Sequence, residues 1–265
     1  MKRHLATAGI AGLLAVTTLS ACGADSDALV VGASPTPHGE ILEFIADNLA
    51  EDAGLTIEVQ EFTDYVQPNP ALTNGDIDAN FFQHQPYLDE YNAAEDGDLV
   101  PVVEVLIEPL GGYSSRIDSI EDLPDGAQVS IPSDSTNGGR ALDLLAANGL
   151  ITLDAASGTF ATESDIVDNP KNLEIVPLEA AQLPRSLEDV DLAIINGNYA
   201  LEADLTPKED SLILEKGENN PFANVLVVRE ADKNDEQIKK LAELLTSDEV
   251  RTFIEENFPN SIPTF

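Results

Sequence analysis

The sequence predicts an α/β protein folded as two lobes with a ligand cleft between them, and three observations carry that prediction. Apolar, strand-like runs alternate with helical spacing as far as residue 81, the pattern of a parallel sheet flanked by helices. A second strand–helix cycle opens at residue 128, after a crossover at 109–113 that holds two glycines. A late apolar strand at 223–228 is placed to carry the chain back across the same gap. On this reading residues 28–110 and 225–265 build lobe 1 and residues 111–224 build lobe 2. Two lobes joined by a short hinge suit closure around a ligand.

The segment ahead of the first strand reads as an export signal. Lys2-Arg3-His4 leads into a mostly apolar run and then Leu19-Ser20-Ala21-Cys22. A charged start, a short apolar stretch and small residues make residues 1–21 a secretory signal. The run is shorter than the roughly 20 apolar residues of a membrane span. Cys22 is the single cysteine, so no intramolecular disulfide can form. Its place directly after Leu-Ser-Ala resembles the bacterial lipobox, in which cleavage leaves the cysteine as a lipid-modified N-terminus and residues 22–27 as a tether. Each acyl methylene buried in a bilayer contributes about 0.8 kcal/mol, so several chains anchor stably where one does not.

Taken in order, residues 28–33 (ALVVGA) form a buried strand, 34–38 a turn with two prolines, and 39–51 a helix with Ile41, Leu42, Ile45 and Leu49 on one face. Residues 55–62 alternate as a second strand. A short helix at 69–73 stops at Asn74-Gly75, residue types that tolerate the left-handed conformation. Ile77, Ala79 and Phe81 then alternate with Asp76, Asp78 and Asn80 as a third strand. Residues 82–85 read as a loop, and Pro86 fits the first turn of the next helix. Phe82, His84 and Tyr87 therefore cluster past the C-terminal end of a strand, where open α/β sheets bind ligands. A strand at 100–105 precedes the crossover. The second cycle runs through a strand at 128–132, a helix over 140–148 that ends at Gly149, a strand at 173–177, the end of a short helix at 187–189 and a strand at 190–195. LTNGDIDAN (72–80) and LEDVDLAII (187–195) look alike, a weak internal symmetry between the lobes. Residues 235–257 read as two amphipathic helices broken near Ser247.

Composition excludes several functions. With 49 acidic against 13 basic residues the formal charge is −36. Nucleic-acid binding leaves a basic footprint, and anionic lipid attracts basic segments; neither is present. The acidity makes a solvated, self-repelling surface. His38 and His84 lack the cysteine or HExxH partners of a zinc site. No G-x-S-x-G elbow accompanies the serines, so no catalytic residue, metal or cofactor is expected. In SIPSDSTNGGRALDLL (130–145), a strand feeds a polar turn and a helix expected to start near Gly138, too short a loop for a P-loop. Unpaired N–H groups at a helix start attract an anion. Arg140 in a first turn opposes the helix dipole unless it serves a ligand, such as a carboxylate gripped by two hydrogen bonds; the alternative is a surface salt bridge. Asn196, ending the strand at 190–195, and Asn224, in the returning strand, either cap turns or reach the cleft.

These residues sit in longer segments that resemble one family. VVGASPTPHGEILEFI, FTDYVQPNPALTNGDIDANFFQHQPYLDEY, STNGGRALDLL, NPKNLEIVPLEAAQLPRSLEDVDLAIINGNYA and NPFANVLVVRE, in this order after a lipobox, are similar to the NlpA-type lipoproteins. The resemblance covers essentially the whole chain after the leader. It implies a two-lobed, type II-like periplasmic-binding-protein fold and a role as the methionine-binding component of an ABC importer. The implied partners are the permease and ATPase subunits, and the implied place is the extracytoplasmic face of the membrane. It also implies that Tyr65, Phe82, His84 and Tyr87 wall the methionine side chain, that Asn137 and Arg140 hold the carboxylate, and that Asn196 and Asn224 complete the polar end. Asparagines and backbone carbonyls are then left to meet the ammonium group. Two other readings stay open: the same fold taking a methionine dipeptide, D-methionine or another apolar amino acid, and a surface-interaction lipoprotein without transport.

Overall fold

In a computed structural model of the chain, the structure describes residues 28–155, 160–218 and 220–265. The export signal, Cys22 and the tether lie outside the described residues. The strands, in chain order, are β1 (Leu29–Ala33), β2 (Ile57–Glu61), β3 (Ala79–His84), β4 (Leu99–Ile107), β5 (Gly111–Tyr113), β6 (Gln128–Pro132) and β7 (Thr152–Leu153). They continue as β8 (Ile166–Asp168), β9 (Glu174–Leu178), β10 (Leu192–Ile195), β11 (Ile213–Leu214), β12 (Ala223–Arg229) and β13 (Ile262–Pro263). The α-helices are α1 (Glu40–Asn48), α2 (Ala50–Ala53), α3 (Pro68–Asn74), α4 (Gln85–Glu95), α5 (Ser135–Ala147), α6 (Leu183–Ser186), α7 (Gly197–Glu202), α8 (Pro207–Asp210), α9 (Glu236–Leu245) and α10 (Asp248–Asn257).

Two sheets divide the strands. One runs β13-β4-β12-β3-β1-β2 and the other β11-β5-β10-β6-β9, while β7 and β8 pair separately. The chain leaves the first sheet at the end of β4, enters the second at β5, and returns after β11 into β12. The sequence pattern predicts parallel strands as far as residue 81, and the structure has them, with antiparallel strands added beside them. β1 is parallel to β2 and β3, but β12 runs antiparallel to both β3 and β4, and β13 is antiparallel to β4. The cause is the return itself, since a chain re-entering from the other lobe inserts its strand in the reverse sense.

At its centre, along β12, β3 and β1, the first sheet is buried on both faces, which explains the apolar runs there. Along β12, Leu226 and Val228 join a core with Ile41, Leu42 and Ile45 of α1, Leu241 of α9 and Ile254 of α10. Val225 and Val227 face the opposite side, with Phe62, Leu72, Ile77 and Leu88. The second sheet has its own cores, one centred on Val129, Leu142, Leu145 and Ile194, the other on Leu183, Ala193, Ile195 and Tyr199.

Several boundaries differ from expectation for local reasons. The first helix breaks at Leu49 (φ −126°, ψ −29°) before α2. The predicted loop at 82–85 is mostly strand, because β3 continues through His84 and absorbs an extra residue at Phe82. α5 starts at Ser135, not near Gly138, because Asp134 caps it through a hydrogen bond from the Asn137 N–H (2.8 Å). Arg140 is thus in the second turn, and Asp134 already fills the anion site expected at the helix start. The short helix before β10 ends at Ser186 and residues 187–189 are a turn. The stop at Gly75 (φ +80°) and the two helices either side of Ser247, whose side chain accepts the Val250 N–H, match the sequence reading.

Candidate ligand-binding site

Between the two sheets lies a small cavity lined by Tyr65, Phe82, Gln83, His84, Tyr87, Glu108, Asn137, Arg140, Asn196, Gly197, Asn198 and Asn224. All eight residues singled out from the sequence line it. Their elements explain why. β3 and β10 end here, α4, α5 and α7 begin here, and β12 brings Asn224 in beside the end of β4.

One end is aromatic. The ring centroids of Tyr65, Phe82 and Tyr87 stand 5.9–6.0 Å apart in tilted and edge-on arrangements. Tyr87 Oη donates to the Tyr65 carbonyl (3.0 Å), and Tyr65 Oη crosses the cleft to Asn198 Oδ1 (2.5 Å). Burial pushes both phenols well above their usual range, so each stays protonated and donates.

His84 ends this wall in a defined state. Its Nδ1 accepts the Tyr87 N–H as the cap of α4 (3.2 Å), and its Nε2 lies 3.1 Å from Asn137 Oδ1. One acceptor and one donor nitrogen describe the neutral Nε2–H tautomer. Burial first, then the Arg140 charge, lower its pKa to about 3, which keeps it neutral. Asn137 Oδ1 also accepts from Asn196 Nδ2 (2.9 Å), and its own Nδ2 donates to Asp134 Oδ1 (2.9 Å).

The other end is polar. Arg140 is 4% exposed, which rules out a surface ion pair. Its Nε and Nη2 donate to Glu215 (2.8 and 2.5 Å), Nη2 also donates to the Glu108 carbonyl (2.8 Å), and the guanidinium lies 4.4 Å over the Phe222 ring. That leaves the two N–H groups of Nη1 without a protein partner among the described residues. Glu108, buried at the end of β4, receives a bond from Asn224 Nδ2 at Oε2 (3.1 Å). Burial raises its pKa to about 8 against a lesser opposing pull from Arg140, and burial lowers that of His38 to about 3. The His38 Nε2–Glu108 Oε2 contact (3.2 Å) therefore joins two uncharged groups and is not an ion pair. Among the described residues, three buried atoms on cavity residues lack a partner in hydrogen-bond geometry: Glu108 Oε1, Asn196 Oδ1 and Asn198 Nδ2. The Asn198 side chain also acts on the Glu202 carboxyl, offsetting in part the burial that raises its pKa.

Sequence reasoning missed four lining residues. Gly197 and Asn198 follow Asn196 at the same strand end, so position alone could have found them. Gly197 permits close approach, since a Cβ there would meet Glu108 Cβ at 2.8 Å. Glu108 has a weaker signal, a lone acid closing an apolar strand before Pro109. The cavity thus contains a carboxyl group where the resemblance leaves the ammonium to asparagines and carbonyls. Among the described residues no cluster of His, Cys, Asp and Glu is arranged to hold a metal.

Two sheets joined by crossing strands around a buried, half-aromatic cavity define a two-lobed solute-binding protein of the periplasmic type. The chain belongs to the NlpA lipoprotein family, whose model matches residues 29–264. It is similar to a probable D-methionine-binding lipoprotein MetQ of Vibrio cholerae, 42% identical with 94% of this chain and 93% of that one covered. It is also similar to the D-methionine-binding lipoprotein MetQ of Escherichia coli K12, 44% identical with 92% and 91% covered. Among solved structures, a nutrient-binding protein from Burkholderia cenocepacia bound to methionine superposes with a TM-score of 0.86 at 44% identity, covering 89% of this chain and all of that one. Among the described residues no helix is long and apolar enough to cross a membrane.

Proposed function

We propose that this protein captures methionine at the extracytoplasmic face of the membrane, to which Cys22 anchors it through lipid, and hands it to an ABC permease and its ATPase. The observation that carries the proposal is the set of unpartnered polar atoms at one end of the cavity, facing an aromatic cage at the other. Buried polar atoms are almost always paired, so these await a polar ligand. Glu108 Oε1 and Asn196 Oδ1 are acceptors suited to an ammonium. Arg140 Nη1 and Asn198 Nδ2 are donors suited to a carboxylate. Tyr65, Phe82 and Tyr87 then meet the side chain, and a thioether gains about 0.3–1.5 kcal/mol from an aromatic contact. The role is capture and release without turnover. D-methionine, named for the relatives in Vibrio cholerae and Escherichia coli, and methionine, bound in the Burkholderia cenocepacia structure, support the same reading.

Calorimetry on ligand-stripped protein tests it, with L-methionine, D-methionine, a methionine dipeptide and L-alanine as titrants. One methionine enantiomer is expected to bind at least about tenfold more tightly than alanine or the dipeptide, a difference of ~1.4 kcal/mol. Arg140→Ala is expected to abolish binding, since removing one partner of a buried pair costs about 3–5 kcal/mol. Arg140→Lys keeps the charge and loses the fork, and should recover little. Equal affinity for alanine, or methionine binding that survives Arg140→Ala, overturns the assignment.

A further inference from the structure

Behind the aromatic wall lies a second polar group that touches no charge. Asn69 on α3 and Asn80 and Gln83 on β3 are each at most 2% exposed. Their side-chain amides close on one another. Asn69 Nδ2 donates to Gln83 Oε1 (2.9 Å) and Asn80 Nδ2 to Asn69 Oδ1 (2.9 Å), while Gln83 Nε2 donates to Asn69 Oδ1 (2.6 Å) and to Asn80 Oδ1 (3.0 Å). Every amide oxygen accepts and every amide nitrogen donates within the group.

This closure requires an irregular strand. In regular β structure residues three apart point to opposite faces. Asn80 and Gln83 nonetheless share a face, because β3 holds one residue too many. Val225 of β12 pairs with Gln83 and Leu226 pairs with Phe81, so Phe82 has no partner in the ladder. Such a bulge re-aims side chains. Here Phe82 lines the ligand cavity, while its neighbour Phe81 points into the lobe core. Asn69 ties the same group to α3, and the loop just before α3 bears Tyr65, with Asp64 Oδ1 accepting the N–H groups of Val66 and Gln67.

We propose that the Asn69–Asn80–Gln83 amide group is a positioning device that locks the bulge at Phe82 and thereby sets which side chains the cavity accepts. An apolar cluster of the same volume would pack as well, so stability alone does not call for three buried amides. Amides do what apolar groups cannot: they fix one register, because a slipped strand would leave buried donors and acceptors unpaired. The group acts through Phe82 and Tyr65 and through Gln83, which itself lines the cavity, and its effect belongs to selectivity more than to folding.

The inference rests on the methionine reading, and the test separates the two. Asn69→Leu alone strands two partners and is expected to lower the melting temperature. The triple variant Asn69→Leu/Asn80→Leu/Gln83→Met removes all the polar atoms and is expected to restore most of that loss. In the triple variant the affinity ratio of methionine to alanine is expected to collapse by about tenfold or more, ~1.4 kcal/mol, although the protein is folded. Its crystal structure is expected to show the bulge relaxed and Phe82 displaced from the cavity. A triple variant that keeps the wild-type ratio, or keeps Phe82 in place, overturns the proposal. If the unmodified protein prefers no methionine ligand, the methionine reading falls, and the position of Phe82 in the variant structure still decides this one.

Discussion

Glu108 concentrates the chemistry of the site in one side chain. Around it stand His38 from the turn after β1, Arg140 from α5, Asn224 from β12 and, further off, Glu202 at the end of α7, which adds to the upward push on its pKa. With a pKa of about 8 it is protonated in the empty protein at neutral pH, and an ammonium beside Oε1 favours the charged form. Binding should therefore release a proton near pH 7, measured as a binding enthalpy that varies with the ionisation enthalpy of the buffer. The sign for stability follows from the same shift. A carboxyl raised in the fold from 4.5 to about 8 contributes stability that is full below 4.5 and is lost as pH rises through about 8. His38, lowered from 6.5 to about 3, acts oppositely: its contribution is full above 6.5 and is lost as pH falls through about 3. We expect Glu108→Gln to flatten the fall in melting temperature of the empty protein between pH 6 and pH 9, while weakening methionine about tenfold or more, the scale of a lost charged hydrogen bond. A variant whose pH profile and affinity both match the wild type would remove Glu108 from the site. The sequence marks this residue only by its place at the end of an apolar strand before Pro109, a signal too weak to pick out one acid among 49 until burial singles it out.

At the scale of elements, α5 joins the helix cap to the cavity. Asp134 Oδ1 accepts from the Asn137 N–H, the Asn137 side chain and Thr136 Oγ1, so one carboxylate both starts the helix and fixes the amide that meets His84 and Asn196. Asp134→Ala should cost about 1 kcal/mol as a lost cap. It should appear as a lower urea midpoint at unchanged slope, with methionine affinity falling because Asn137 loses its anchor. A midpoint within error of the wild type would mean that another group caps α5. The same helix shows where sequence reading reaches its limit. Ser-Thr-Asn-Gly-Gly resembles a turn by composition, yet an Asp directly ahead of it can start a helix three residues early. The bulge in β3 is illegible for a similar reason: Phe81-Phe82-Gln83-His84 fits no simple period, since the irregularity is set by contacts with α3 and β12. Where punctuation and period agree, as at Asn74-Gly75, Ser247 and the amphipathic faces of α9 and α10, the elements stand close to where the sequence puts them.

Across the whole molecule, the succession of the longer strands along the chain was legible because each apolar run is long enough to identify, whereas the order of strands within the sheets and the antiparallel entry of β12 depend on where the chain comes back. The distribution of acids has a mechanical consequence. Acids outnumber Lys and Arg 49 to 13, so most have no cation to pair with. Some of them face one another across the mouth of the cleft, where Asp64 of one lobe and Glu179 of the other line a common groove outside the ligand cavity. Closure, recorded in the Tyr65–Asn198 bond and in the Ser135–Glu90 contact, brings these like charges together. A methionine zwitterion has no net charge, so screening should act little on the ligand and mainly on the repulsion between lobes. The screening length falls from about 30 Å at 0.01 M salt to about 3 Å at 1 M. Salt is therefore expected to tighten binding, with a dissociation constant a few-fold lower in 0.5 M than in 0.02 M sodium chloride. The double variant Asp64→Asn/Glu179→Gln should bind more tightly than the wild type at low salt and lose most of the salt dependence. If salt weakens binding, or if the double variant keeps the full dependence, repulsion across the mouth does not oppose closure and the acidic surface acts on solubility alone.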